Sequence, residues 1–211
     1  MSDLFATTRP DRQQVYPDVW LLANFANTSE LKLELKNIFQ QSPLRKMMTP
    51  MGHYTGIPLT NCGQLGWYSD EQGYRYVARD PINGLPWPAI PDIFTKLAQN
   101  AAQTLGYQNF TPDACLINQY QIGSKLSAHQ DKNERDFNWP IVSVSIGLPC
   151  VFQIFGMQRS GKPINLPLLD GDVMVWGGQS RLIYHGVKPI KLDRQNPHLS
   201  ERINITFRKA G

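Results

Sequence analysis

From residue 112 onward this chain is a succession of short β-rich runs, at 114–120, 125–130, 141–147, 150–155, 172–176, 181–185 and 202–208, each bounded by Gly, Pro, Asp or Asn. Runs of that length, rich in Val, Ile and aromatics and cut off by turn formers, read as strands. Several alternate, as in Ile141-Val142-Ser143-Val144-Ser145-Ile146, which gives a strand one apolar and one polar face. The pattern predicts a mainly β (α+β) fold built as a sandwich or jelly roll.

Two helices precede these strands. Over 27–41 the apolar Leu31, Leu35, Ile38 and Phe39 recur at helical spacing, and Asn27 with Glu30 has the form of a capping box. A second helix is predicted over 91–105, with Pro91 in its first turn, an apolar face of Phe94, Leu97, Ala98, Ala101 and Leu105, and Gly106 as its stop. Both have the stripe of scaffold helices packed on a sheet. Between them, 47–88 is rich in Gly, Pro, Asn and aromatics and reads as short hairpins and loops, a candidate substrate lid.

A length of 211 residues fits one domain, 1–211, with a lid near 45–88 and a β core near 112–211. The 41% hydrophobic and 18% charged residues are those of a soluble globular protein. A net charge of +4 permits a polyanionic partner without requiring one. No apolar run approaches the roughly 18 residues of a membrane span, and Met1-Ser2-Asp3-Leu4-Phe5 lacks a charged-then-apolar signal. These features point to a cytoplasmic protein. Cys62, Cys115 and Cys150 are odd in number and widely spaced, so they predict reduced packing residues rather than a disulfide framework or a zinc cluster.

Only four histidines are present, His53, His129, His185 and His198, so a metal site must draw on these and on carboxylates. His129 and Asp131 stand at i and i+2, a spacing that sends both side chains to one face of an extended strand. With His185 they make two imidazoles and one carboxylate, the donor set of open non-haem Fe(II) sites. A lone His-x-Asp is common on protein surfaces, so the triad needs support from elsewhere in the chain. Support comes from polar side chains at i, i+2 spacing where a core prefers apolar ones: Asn118 with Tyr120, and Arg202, Asn204, Thr206 and Arg208 along the last run. Inward arginines need an anion, and a guanidinium offers a planar fork for a carboxylate.

These residues sit within longer collinear segments: Thr60-Asn61-Cys62-Gly63, Leu65-Gly66-Trp67, Pro86-Trp87-Pro88-Ala89, Pro112-Asp113-Ala114-Cys115-Leu116-Ile117-Asn118, His129-Gln130-Asp131-Lys132, Pro140-Ile141-Val142-Ser143-Val144-Ser145, Gly171-Asp172-Val173, Val175-Trp176-Gly177-Gly178 and Arg202-x-Asn204-x-Thr206-Phe207-Arg208. Together they resemble the AlkB family of Fe(II)- and 2-oxoglutarate-dependent dioxygenases in its bacterial, nucleic-acid-repairing form, over almost the whole chain. The resemblance implies a double-stranded β-helix (jelly roll) with two scaffold helices and an N-terminal nucleotide-recognition lid. It implies Fe(II) on His129, Asp131 and His185, with dioxygen and 2-oxoglutarate as co-substrates. The distal carboxylate of 2-oxoglutarate falls to Arg202 with Asn118 and Tyr120, and the end nearer the metal to Arg208; Asn204 belongs to the same face.

The implied activity is oxidative dealkylation of N-alkylated bases in single-stranded DNA, releasing an aldehyde such as formaldehyde, with double-stranded DNA and RNA open as further substrates and a monomer as the working unit. A base inside a duplex cannot reach a buried iron, so it must be flipped or unpaired. Trp67 matches the family position that stacks on the base, Tyr74 one that contacts the backbone, and Arg159 a substrate-side arginine; His129 supplies the other wall. Lys125, Lys132 and Arg135 are further phosphate candidates, while Tyr68, Tyr76 and Trp87 read as lid packing. One departure stands out: the bacterial enzymes usually carry an aspartate where this chain has Asn133, a position tied to recognition of the lesion's exocyclic amino group, with Glu134 as a substitute acid. Two other readings fit the same residues, a related 2-oxoglutarate dioxygenase acting on RNA or a small molecule and a non-catalytic nucleic-acid-binding jelly roll.

Overall fold

The computed structural model describes residues 9–211; the N-terminal residues 1–5, read above for a targeting signal, lie outside them. The elements run β1 (Arg12–Tyr16), β2 (Val19–Leu22), α1 (Thr28–Gln41), β3 (Leu59–Gly63), β4 (Gly66–Asp70), β5 (Gly73–Val77), α2 (Asp92–Gln103) and β6 (Ala114–Gln121). They continue β7 (Leu126–His129), β8 (Ile141–Gly147), β9 (Cys150–Gly156), β10 (Ile164–Leu168), β11 (Val173–Trp176), β12 (Tyr184–Val187) and β13 (Glu201–Arg208). A seven-stranded sheet in the order β1-β2-β11-β8-β13-β6-β3 faces a four-stranded sheet in the order β10-β9-β12-β7. The pairings within both are antiparallel, and β4 and β5 form a separate hairpin. Of the sandwich or jelly roll that the alternating runs allow, this is the two-sheet jelly roll that the family resemblance implies. Among the described residues no helix is long and apolar enough to cross a membrane.

Strand parity decides what each face of the large sheet does. On β13, Ile203, Ile205 and Phe207 point to one side and join Ile117 of β6, Val142 and Val144 of β8 and Val173 and Val175 of β11 in a core roofed by the helices. α1 contributes Leu31, Leu35 and Ile38, and α2 contributes Phe94, Ala98 and Ala101. Each such Ile, Leu or Phe contributes about 1.5–3 kcal/mol on burial, so this face alone is enough to seat both helices. The opposite face of the same strands carries Arg202, Asn204, Thr206 and Arg208 and looks toward the small sheet, where Ile141, Met174, Trp176, Phe152 and Ile154 form a second core at one end of the gap. The other end is left polar.

The local predictions are mostly met, with instructive exceptions. α1 begins after Asn27, but that side chain donates to Glu30 Oε1 at 2.7 Å instead of capping a backbone N–H, so a side-chain pair replaces the capping box. α2 ends at Gln103 rather than at residue 105, because Thr104 Oγ1 turns back to the carbonyl of Ala101 at 2.7 Å and closes the last turn. The run at 181–185 becomes a strand only from Tyr184: the preceding residues follow a 3-10 turn, Gly178–Ser180, and Arg181 bonds to a neighbouring loop instead of a ladder. The segment expected to be only hairpins and loops also supplies β3, which lies along β6 at the edge of the large sheet. Edge strands β1 and β10 escaped the sequence patterns because both are largely exposed, and β10 contains Pro167.

Candidate metal centre

The polar end of the gap between the sheets opens as a cavity of about 560 Å³. His129 ends β7, and His185 lies directly opposite it on β12. That approach depends on Gly186: a Cβ there would sit 2.7 Å from the carbonyl oxygen of Leu126, so only glycine lets β12 come so close to β7. Asp131 follows two residues beyond His129, the end of the strand. The ligand atoms of His129, Asp131 and His185 all lie within 4.8 Å of one another, with each imidazole Nε2 at 3.8 Å from a different oxygen of Asp131. His53 and His198 are exposed and take no part.

Backbone carbonyls set the imidazole tautomers. Nδ1 of His129 is 2.9 Å from Ser127 O, and Nδ1 of His185 is 3.2 Å from Ile183 O. A carbonyl only accepts, so Nδ1 carries the proton in both rings and Nε2 keeps a lone pair for a metal. His185 is wedged between the Phe152 face and Trp176, at ring separations of 5.5 and 5.1 Å. Burial, aided by the neighbouring His129 and opposed by Asp131, pushes its pKa down to about 4. Burial acts the other way on Asp131, but the charges of Arg208 and the two histidines outweigh it and hold the carboxyl below the usual range. At neutral pH the site is one carboxylate and a neutral His185, a set ready for a divalent cation.

A pH effect follows for the metal-free protein. The unfolded chain protonates its histidines near 6.5, whereas folded His185 resists to about 4, so the unfolded state binds more protons in between. Stability is therefore full above 6.5 and falls as the pH drops toward 4, by roughly 3 kcal/mol for this one group. Asp131 stays ionised across that window. Urea unfolding in chelator at pH 7 and pH 4.5 should show the loss in the wild type and a smaller one in His185→Gln; equal losses would refute the assignment.

The inner face of β13 and its neighbours fits a small dicarboxylate beside the metal ligands. Arg202 stands across from Tyr120 on β6, and Asn204 from Asn118 on β6 and Ser145 on β8. Arg202 is 2% exposed, yet only its Nη2 has a partner, Ser145 Oγ at 2.9 Å; Nε and Nη1 are buried without one. Two orphaned guanidinium donors lining a cavity need an anion, and a carboxylate is the shape they match. Asn118 and Tyr120 line the same cavity, and burial raises the Tyr120 hydroxyl far enough to keep its proton as a donor. Asn204 is engaged already: its amide donates to Ser143 Oγ and Val144 O, and its carbonyl accepts from Thr206. Arg208 donates to Asp131 Oδ2 at 2.7 Å and approaches Glu134 Oε1 at 3.3 Å. Burial would lower its pKa, but Asp131, Tyr76 and Glu134 raise it instead, so it is a permanent cation behind the Asp131 carboxylate.

The β4–β5 hairpin forms the upper wall. Trp67 and Tyr74 stack at 5.5 Å between ring centroids, tilted by 18°. Asn133 bridges them, accepting from Trp67 Nε1 at 3.3 Å with its amide nitrogen 3.5 Å from Tyr74 O. Lys125, Lys132 and Arg159 reach the cavity, whereas Arg135 is exposed and outside its lining. Tyr68 and Trp87 are buried, with Trp87 Nε1 donating to Val77 O. Tyr76 is half-buried, faces the cavity and donates to Glu134 Oε1 at 2.7 Å. Burial raises its pKa, so the phenol keeps that proton.

The sequence patterns missed the role of Glu134 as the partner of two buried arginines, and missed Arg181 altogether. Arg181 is 3% exposed and donates to Trp139 O and Asp131 O while its Nη2 lies 3.1 Å from Glu134 Oε2. No spacing signal marks such a residue, since its partners are backbone atoms of a loop about 50 positions away.

Comparison with known proteins agrees with this geometry. The family model of the 2OG-Fe(II) oxygenase superfamily matches residues 18–208. The chain is 47% identical over its full length to the alpha-ketoglutarate-dependent dioxygenase AlkB of Escherichia coli, covering 99% of that protein. It is 38% identical to the AlkB homolog of Caulobacter vibrioides over 81% of this chain and 76% of the other. Among solved structures, that of OsALKBH1 superposes with a TM-score of 0.79 at 27% identity, covering 94% of this chain and 99% of that one.

Proposed function

The chain belongs to the 2OG-Fe(II) oxygenase superfamily, and from that membership we propose that its metal centre strips alkyl groups from base nitrogens in single-stranded DNA, with Fe(II) held by His129, Asp131 and His185. Its broader activity is that of an Fe(II)- and 2-oxoglutarate-dependent dioxygenase that dealkylates nucleic acids. The observation that carries the finer reading is that one cavity is lined by the triad, by an arginine with unpaired donors and by a stacked aromatic pair.

When bound, Fe(II), 2-oxoglutarate and dioxygen supply the oxidising power that hydroxylates the alkyl carbon, which then leaves its nitrogen as an aldehyde. The protein's part is binding and placement. Arg202, with Asn118 and Tyr120, takes the distal carboxylate of 2-oxoglutarate, while Arg208 keeps Asp131 ionised and oriented and stands near the end of the co-substrate closest to the metal; Asn204 braces Arg202's strand against β8. Trp67 offers its indole face to an unstacked base and His129 closes the other side, so the alkyl group is directed toward the metal. Tyr74, Arg159, Lys125 and Lys132 at the rim meet the phosphate backbone, which positions the strand without reading its sequence. The working unit is read as a cytoplasmic monomer.

Anaerobic loading with Fe(II), followed by air and assays of succinate and formaldehyde, tests the proposal. Methylated single-stranded DNA should stimulate both products equally, ahead of methylated duplex and RNA. Stimulation by RNA alone would transfer the substrate, and stimulation by neither would point to a small molecule.

Asn133 tunes the choice of lesion within this reading. A carboxylate there would place a unit charge near the base, worth on the order of 4 kcal/mol at 4 Å and an effective dielectric of 20. Desolvation leaves about a quarter of that, or about fivefold in selectivity. Asn133→Asp should raise the kcat/KM ratio of cationic 3-methylcytosine over neutral 1-methylguanine by about that factor. An unchanged ratio would sink the idea. Glu134 does not replace the missing charge, because its carboxylate is already enclosed by Tyr76, Arg181 and Arg208.

A further inference from the structure

Glu134 lies three residues beyond the iron carboxylate and is 6% exposed. Three elements converge on it. Tyr76 of β5 donates its hydroxyl to Oε1 at 2.7 Å, Arg208 of β13 brings Nε to 3.3 Å from the same oxygen, and Arg181, just before β12, brings Nη2 to 3.1 Å from Oε2. Both arginines then reach Asp131: Arg208 donates through Nη2 to the side-chain oxygen Oδ2 at 2.7 Å, and Arg181 through Nη1 to the backbone carbonyl at 2.9 Å. The Arg208 guanidinium thus lies between two carboxylates, hydrogen-bonded to Asp131 and within ion-pair distance of Glu134.

Tyr76 is the member of this network that belongs to the β4–β5 hairpin, which shares no strand ladder with either of the other sheets and is tied to β3 through the Asn61 side chain, which donates to Trp67 O and accepts from Trp67 N. The hairpin also carries Trp67 and Tyr74, the stacked pair at the cavity mouth. A continuous path of side chains therefore runs from the lid to the metal ligand: Tyr76, Glu134, Arg208, Asp131. While Tyr76 satisfies Oε1, Arg208 is free to give its shortest bond to Asp131. If the hairpin lifts and withdraws that hydroxyl, Oε1 is left buried and short of a donor, a cost relieved by drawing Arg208 toward Glu134 and away from Asp131.

We propose that Glu134 is a positioning residue that couples engagement of the lid by nucleic acid to the placement of Asp131, so that strand binding and occupancy of the metal site strengthen each other. The proposal rests on the nucleic-acid reading above and adds a mechanism of communication to it. Coupling of this kind is reciprocal: whatever factor the strand lends the metal, the metal lends the strand.

The test is a linkage measurement without turnover. The dissociation constant of a fluorescent methylated single-stranded oligonucleotide is measured anaerobically, first in chelator and then with Fe(II) and 2-oxoglutarate, and the ratio of the two is the coupling. In Tyr76→Phe, which keeps the ring and leaves Glu134 with both arginines, the ratio should fall by about fivefold; Glu134→Gln should lower it at least as far. A structural role alone would weaken binding in both states and leave the ratio as in the wild type, and that result in Tyr76→Phe overturns the proposal. A wild type that binds the oligonucleotide in neither state overturns the nucleic-acid reading of the site, and the inference with it.

Discussion

Replacing Asp131 with alanine is expected to drop metal-dependent succinate formation below about one-thousandth of the wild-type rate, the scale on which one essential charge-bearing group is lost, and at the same time to cost the fold about 3 kcal/mol. The first effect follows from the donor set, since two imidazoles alone leave a cation without its anionic ligand. The second follows from Arg208, whose side chain is 6% exposed and which gives its shortest bond to Asp131 Oδ2. Without that carboxylate a buried guanidinium retains only the misaligned contact with Glu134, and breaking a buried pair from one side typically costs 3–5 kcal/mol. Urea unfolding in chelator isolates the stability term from metal binding. Asp131→Ala should unfold at a lower urea midpoint than His129→Ala, whose lost imidazole is the partly exposed member of the triad. Residual metal-dependent turnover in Asp131→Ala, or equal stability of the two variants, would contradict the roles assigned here.

Arg202→Met should separate function from stability in the opposite sense. In the ligand-free fold Arg202 is a buried cation with two donors unsatisfied and a neutral hydroxyl as its one partner. Such a charge is expensive, and an apolar side chain of similar volume is often neutral or stabilising in its place. Metal-free Arg202→Met is therefore expected to match or exceed the wild type in urea. The co-substrate affinity should collapse: two charge-assisted hydrogen bonds at roughly 1.5 kcal/mol each correspond to about a hundredfold rise in the KM for 2-oxoglutarate. Thermal unfolding supplies a second readout, because 2-oxoglutarate with a redox-inert divalent metal should raise the Tm of the wild type by mass action and barely move that of the variant. An unchanged KM would remove Arg202 from the co-substrate site.

These two residues illustrate how unevenly the site could be read in advance. Arg202 was legible because strand parity is strict: on a run whose odd positions are Ile203, Ile205 and Phe207, the even positions must share the other face, and a buried arginine there demands an anion. His129 and His185 were legible as candidates because histidine is scarce in the chain. The partner of Arg208 was not legible. Parity placed it in the cavity, but its pairing with Asp131 and Glu134 depends on a loop folding back across β13, and nothing in the spacing of residues 131–139 encodes that. Tyr76 was read as lid packing for the same reason, since its alternative partner lies 58 positions away.

Periodicity and composition reach as far as the faces of strands and helices, because side-chain direction repeats every two or 3.6 residues whatever lies across the gap. From that alone come the two-sheet β core, both scaffold helices, the polar inner face of the last strand and the three metal-ligand candidates. The distribution of charge among Asp131, Glu134, Arg181 and Arg208 belongs to the folded chain. It is set by distances of about 3 Å between elements remote in sequence and by the burial that makes an unpaired charge costly. The triad could therefore be named from residue types and spacing, whereas the bonds of Arg208 and Arg181 to Asp131, and the chain of contacts from Tyr76 through Glu134 to it, exist only once the loop, the hairpin and β13 are packed together.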